Sequence, residues 1–352
     1  MNKRMREKSR KIALAKFNPN GVGLSTHGIF GLPFTSTNAE IIVLGAPWNV
    51  TVSAGVGTIH GPKRILEASL QIDLYNETYP DFWKAGISMV KIPGMKKLSV
   101  VVRKETEKYI RFITHGGRVN NNLYMESIQH VIDEKCRAVN ASIKEKALQF
   151  LENGQMVCLV GGDHSTSLGL LQAQSEIHEE FGILHIDAHA DLRKAYEGLQ
   201  FSHGSVMFNA LSINQVKKIV QVGVRDYCKE ETDRIAVESK LMMFPWKKMA
   251  YRMFEGETSW EGICNEIIDS LPSKVYVSFD IDGLDPSCCP NTGTPVPGGL
   301  SYDQVVYLLQ QLHKKKTIIG CDLVEVGNHP WDANVGARLL YELCMFMYKS
   351  LV

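Results

Sequence analysis

Apolar residues in this chain gather into short unbroken runs, and the segments between them carry a helical period. Runs at Glu40–Ala46, 156–160, 182–187, 218–224, 274–281 and 317–323 are too short for buried helices and rich in Val, Ile and Leu. They predict strands covered on both faces. Apolar positions spaced three and four apart predict helices at Leu123–Glu152 and near 165–179, 229–238, 257–270, 301–315 and 334–349. Asn153-Gly154 closes the long helix, and Pro62 opens a shorter one running through about Leu70. Phe17–Thr37, crowded with Gly, Pro, Asn, Ser and Thr, reads as an ordered loop, and Gly55-Val56-Gly57 as a glycine-punctuated one. Residues Asn76–Asn122 show the weakest pattern, with one helical stretch at Ser99–Ile113. Strand and helix alternate in the manner of βαβ units, which predicts a three-layer αβα fold around a mostly parallel sheet. Neither repeats nor low-complexity segments interrupt it, so residues 40–352 are taken as one domain and 1–39 as a basic tail and loop extension.

Composition narrows the function only by exclusion. With 39 Lys and Arg against 38 Asp and Glu, the net charge of +1 argues against a dedicated nucleic-acid surface. No apolar stretch reaches membrane-spanning length, and Met1–Lys16 lacks the apolar centre of a secretory signal. Eight cysteines without a regular spacing suit a reducing compartment, and the expectation is cytoplasmic. Cys158 and Cys321, inside strand-like runs, are expected to be buried free thiols, and neighbouring Cys288 and Cys289 to stay unbonded.

The chemistry sits at strand ends. Three acidic clusters close apolar runs: Gly161-Gly162-Asp163-His164-Ser165, Asp187-Ala188-His189-Ala190-Asp191 and Ser278-Phe279-Asp280-Ile281-Asp282-Gly283-Leu284-Asp285-Pro286. Residues two apart in extended chain share a face, so Asp187, His189 and Asp191 project together, as do Asp280 and Asp282. With His164 they bring two imidazoles and four carboxylates to one sheet rim. Acids so crowded repel unless cations neutralise them, which predicts a two-metal site. Asp163 falls on the opposite parity and reads as a cap or supporting acceptor, and Asp285 as a turn residue.

These motifs resemble the ureohydrolase family of arginases, agmatinases, formiminoglutamases and guanidine hydrolases. Gly61-Pro62, Asp322-Leu323-Val324-Glu325-Val326 and Gly336-Ala337-Arg338 support the likeness from about residue 40 onward. The resemblance implies an arginase-like fold. It also implies that His164, Asp187, Asp191 and Asp280 hold one metal and Asp187, His189, Asp280 and Asp282 the other, Asp187 and Asp280 bridging. A carboxylate-rich set suits two Mn²⁺, with Ni²⁺ an alternative. By the same likeness His203 is a proton shuttle and Glu325 the acid that grips a guanidinium, with Asp187 the third residue of the catalytic set. Trimers or hexamers are implied as well.

The resemblance implies a small cationic guanidino substrate, hydrolysed to urea and an amine. Arginases carry Asn where this chain has Arg193, and their second recognition acid corresponds to Cys228. Agmatine, giving putrescine, is therefore the leading expectation, with Arg193 in the outer pocket as a substrate contact or as a structural partner of Glu197. Free guanidine is the alternative if Trp48 and the Phe17–Thr37 loop close a small pocket, and arginine a further one. Two readings from other classes are a zinc deacetylase, which would leave His164 and Asp191 unused, and a non-catalytic scaffold, which would show a lost ligand.

Overall fold

A computed structural model describes residues 3–53 and 57–351. Among these described residues eight strands form one sheet: β1 (Ile41–Ala46), β2 (Ile87–Lys91), β3 (Met156–Gly161), β4 (Phe181–Ile186), β5 (Val216–Val222), β6 (Leu241–Phe244), β7 (Lys274–Asp280) and β8 (Thr317–Val324). Their order is β2-β1-β3-β8-β7-β4-β5-β6, and every neighbouring pair is parallel. The expected mostly parallel sheet is thus parallel throughout. Strands β1 and β4 are buried at every position, as their unbroken apolar runs require when helices cover both faces.

The covering helices are α1 (Lys3–Leu14), α2 (Gly61–Ala68), α3 (Met95–Thr114), α4 (Leu123–Leu151), α5 (Ser167–Ile177), α6 (Val206–Leu211), α7 (Lys229–Val237), α8 (Trp246–Phe254), α9 (Trp260–Asp269), α10 (Tyr302–Lys315) and α11 (Pro330–Lys349). Asn122 caps α4 by accepting from the Met125 amide, and Ser301 caps α10 with a reciprocal bond from Gln304. The first residues of the basic tail form α1, whose buried Arg6 donates to the Asn153 carbonyl at 3.1 Å and lies 3.6 Å from Glu40. Strands β2 and β6 and helices α6 and α8 add to the predicted elements. Of the predicted glycine loop, Gly55 and Val56 lie outside the described residues. No described helix is long and apolar enough to cross a membrane.

Two expectations about the periphery are corrected. No residue of the Phe17–Thr37 loop lines the cavity beside the acidic clusters; Phe17 packs against Trp83 and Phe30 edge-on to Tyr341 of α11. Trp48 is buried and serves through its backbone, accepting from the Asp163 amide at 2.7 Å. All eight cysteines are free thiols, and Cys158 and Cys321 are fully buried partners across β3 and β8.

Candidate metal centre

Four adjacent central strands, β3, β8, β7 and β4, deliver the acidic clusters and Glu325 from their carboxyl ends, where open parallel sheets gather ligands. After β3 the chain turns under Trp48. A side chain at Gly162 would place its Cβ 1.9 Å from the Trp48 carbonyl oxygen, so only glycine fits there. The turn sets His164 at the start of a 3₁₀ turn leading into α5. Asp163 points the other way, accepting from Ser165, from the Thr51 amide at 3.0 Å and from the Thr51 hydroxyl at 3.1 Å. It supports the loop, as its parity predicts. Asp285 closes a turn by accepting from the Ser287 amide at 2.9 Å, also as expected.

The six predicted ligands converge. His164 Nδ1 lies 3.1 Å from Asp187 Oδ2, 3.1 Å from Asp191 Oδ2 and 3.5 Å from Asp280 Oδ2. His189 Nδ1 lies 3.4 Å from Asp187 Oδ1 and 3.2 Å from Asp282 Oδ2. Donor atoms of His164, His185, Asp187 and Asp191 fall within 4.8 Å of one another, and so do those of Asp187, His189 and Asp282. Asp187 belongs to both groups. Asp280 approaches the first through His164 and caps the 3₁₀ turn carrying Asp282, accepting its amide at 2.9 Å.

Hydrogen bonding behind His164 tests whether a cation fits. Asp322, fully buried on β8, accepts from Tyr276 OH at 2.7 Å, from the Phe279 amide at 3.2 Å and from Ser278 Oγ at 3.1 Å. The single Ser278 hydroxyl proton is thereby committed to Asp322. Ser278 Oγ, 2.9 Å from His164 Nε2, then accepts the ring proton. That leaves Nδ1 aimed between three carboxylates, buried and without a hydrogen bond of its own. A bare lone pair facing three anions is stable only with positive charge between them. The position takes either a proton or a metal ion: although burial opposes it, Asp187, Asp191 and Asp280 hold the His164 pKa well above its ordinary value. His189 behaves alike, raised to about 12 by Asp187 and Asp282 against burial. Burial, then Asp282 and Asp187, push the Asp280 carboxyl well up. The donor set therefore suits divalent cations.

Above this floor opens a cavity of about 350 Å³, lined among others by His189, Asp191, Arg193, His203 and Tyr227. His203 is held by its backbone amide donating to Thr51 Oγ1 at 3.0 Å, so Asp163, Thr51 and His203 form one chain of support. Burial, then the nearby His189 and His164 rings, lower its pKa to about 4. Glu325 is 6% exposed and is not among the residues lining the cavity. Its Oε1 accepts the His164 amide at 3.1 Å while Oε2 is buried without a partner. Burial, then Asp163, raise its carboxyl well above the usual range. Arg193 reaches the cavity but pairs at 3.3 Å with Glu231 rather than with Glu197, the structural partner offered as its alternative role. The partner is visible only in the fold, because Glu231 arrives on α7 and also accepts from Leu192 and Cys228 amides. His185 goes unremarked in the sequence, and Ser278 and Asp322 appear there as motif members without a role, although His185 and Ser278 share the parity of Asp187 and Asp280.

The sequence pattern of the Arginase family matches residues 39–346. An N(1)-aminopropylagmatine ureohydrolase of Thermus thermophilus is 40% identical over 308 residues, 86% of this chain and 88% of that protein. A mitochondrial agmatinase of Gallus gallus is 31% identical over 346 residues, 94% of this chain and 87% of that protein. The crystal structure of the agmatine ureohydrolase of Thermoplasma volcanium superposes with a TM-score of 0.69 at 20% identity, covering 96% of this chain and 98% of that one. That likeness is one of fold.

Proposed function

The chain belongs to the arginase family, a hydrolase of guanidino compounds, and from that premise we propose that it splits a guanidinoalkylamine into urea and an amine. The observation that carries this reading is the bare Nδ1 of His164 facing Asp187, Asp191 and Asp280 beneath an open cavity. We take His164, Asp187, Asp191 and Asp280 as ligands of one Mn²⁺, and Asp187, His189, Asp280 and Asp282 as ligands of the other. Ni²⁺ is the alternative. Bound there, two such ions supply hydroxide near neutral pH, lowering the pKa of water from about 15.7 toward about 7.

The chain's own residues do the rest. The carboxylates draw the cationic guanidinium down, and Glu325 is assigned to accept its N–H groups by family likeness alone, since its unpartnered Oε2 is buried behind the cavity lining. Held there, the central carbon is open to oxygen attack from the floor. The tetrahedral species then breaks its bond to the alkyl nitrogen, which leaves as a neutral amine only after gaining a proton. His203, on the cavity wall, relays that proton. Water is consumed, and urea and a protonated amine are released.

For the substrate, agmatine to putrescine is the proposed reaction. Arginine is disfavoured because Cys228 replaces an acid and Arg193 is engaged by Glu231. Free guanidine is disfavoured because the cavity is far larger than one guanidinium and the Phe17–Thr37 loop packs elsewhere. One extension has its own support: the 40% identical Thermus relative is named for aminopropylagmatine, and the exposed Asp226 and Tyr227 at the cavity mouth suit a longer cationic tail. Residues 40–352 constitute the catalytic unit in this reading, residues 1–39 an extension, and the assembly a trimer or hexamer. The test is urea release after Mn²⁺ loading with agmatine, N(1)-aminopropylagmatine, arginine, guanidinobutyrate and guanidine. Either of the first two should lead by kcat/KM; arginine or guanidine in the lead would overturn the assignment.

A further inference from the structure

His185 lies with His164, Asp187 and Asp191 at metal-ligand spacing, so by composition it counts as a third imidazole for the centre. Its hydrogen bonds say otherwise. His185 is fully buried on β4, two residues before Asp187 and on the same face, with Nε2 2.9 Å from Asp187 Oδ2. Across the sheet its register partner on β5 is Gln221, also fully buried. Gln221 Nε2 lies 2.6 Å from the Ala190 carbonyl oxygen and 2.9 Å from His185 Nδ1.

A carbonyl oxygen only accepts, so the Gln221 amide must turn its nitrogen toward Ala190; the reverse orientation would press two oxygens together. The second amide hydrogen then points at His185 Nδ1, which accepts it. The ring proton is therefore on Nε2, where it is donated to Asp187 Oδ2. In that tautomer Nε2 has no lone pair for a metal, and the lone pair of Nδ1 is taken by Gln221.

We propose that Gln221 and His185 are positioning residues for Asp187: Gln221 fixes the His185 tautomer, and His185 holds the shared carboxylate by donation without binding metal. Asp187 Oδ1 already accepts the His189 amide at 2.6 Å, so the two donors pin both oxygens. This matters at Asp187 because its carboxylate belongs to both clusters of donor atoms. Gln221 Oε1 is left buried without a partner, a loss that a network built only for stability would avoid. The inference rests on the metal-centre reading above.

The test uses the full chain and Mn²⁺ alone, read by equilibrium dialysis with metal analysis, together with ¹⁵N shifts of labelled histidine in the metal-stripped protein. His185→Gln places an amide N–H where Nε2–H was; His185→Leu and Gln221→Leu remove the donors. Partners of this kind typically change metal affinity by about 10–100-fold. The expected result is a loss in that range for His185→Leu, near-recovery in His185→Gln, a smaller loss for Gln221→Leu, and an Nε2–H signature for His185 that Gln221→Leu abolishes. Equal losses in His185→Gln and His185→Leu would make His185 a ligand and overturn the proposal, as would an Nδ1–H signature in the wild type. A wild type that binds no Mn²⁺ would overturn the metal-centre reading itself. Binding by the wild type and His185→Leu alike would overturn this proposal alone.

Discussion

Asp191 and Glu325 both sit in the left-handed backbone region, with φ of 53° and 59°. Such conformations cost of order 1–3 kcal/mol each and persist where function holds them. Asp191 carries a second burden, since burial and then Asp187 raise its pKa. Asparagine keeps the shape and tolerates left-handed φ but drops the charge. Metal-stripped Asp191→Asn should therefore melt above the stripped wild type, by roughly 2 °C for each kcal/mol relieved, while Mn²⁺ affinity falls. A lower melting temperature with affinity intact would make Asp191 a structural acid. His203 offers a cleaner kinetic test. Its pKa of about 4 keeps the ring neutral well below the ordinary imidazole range, so a His203 acting as the proposed relay should contribute no activity step near pH 6.5. His203→Asn should retain Mn²⁺ and lose turnover by about 10²–10⁴-fold; undiminished turnover would remove it from the reaction. At this scale parity was a guide only as far as Asp187 and Asp280: β4 ends at Ile186 and Asp191 takes a left-handed backbone, so the loop beyond the strand, not strand alternation, brings His189 and Asp191 to the site. Ser278 and His185 obey the same parity and could have been found. Gln221 and Glu231 could not, because strand register and the docking of α7 bring them in.

Elements were legible in proportion to their length and burial. Strands β3, β4, β7 and β8 are unbroken apolar runs and were read to within about two residues, but β6 spans only Leu241–Phe244 and exposes Met242. An edge strand of four residues buries too little on either face to leave a period. Helix α11 shows what its pattern concealed. Glu342 sits among buried neighbours with Oε2 unpartnered, and burial raises its pKa to about 7. The folded carboxyl keeps its proton up to about pH 7, whereas the unfolded one loses it near its ordinary value of 4.5. Between those limits the folded state binds more protons, so its stability falls as pH rises through that window and stays low above it. Glu342→Gln removes the loss. Thermal melts should show the variant matching the wild type at pH 4 and exceeding it at pH 8, by at most about 3 kcal/mol. A constant difference across that range would mean the carboxyl is solvated.

For the whole molecule, the centre is where the fold is most in conflict with itself. Chain segments more than a hundred residues apart meet there, so electrostatic strain at the rim is shared by β3, β4, β7 and β8 together. Their apolar runs supply the opposing force, and a bound cation would turn repulsion into cross-linking. The clusters' convergence was legible because parallel strands with crossover helices put all their carboxyl ends on one edge; which strands become neighbours was not, since the order β3-β8-β7-β4 follows from packing. Ligands that bind only the folded chain stabilise it by RT ln(1 + [L]/Kd), about 2.7 kcal/mol per site at a hundredfold excess over Kd. Calorimetry of metal-stripped protein titrated with Mn²⁺ should show the melting temperature climbing with concentration, and Asp282→Asn should reduce that climb. Binding must also release protons, because His164 and His189 hold theirs tightly. The climb should therefore weaken as pH is lowered, since protons and cations compete for the same lone pairs. A Mn²⁺ effect independent of pH, or one that survives in Asp282→Asn unchanged, would place the ion elsewhere on the molecule.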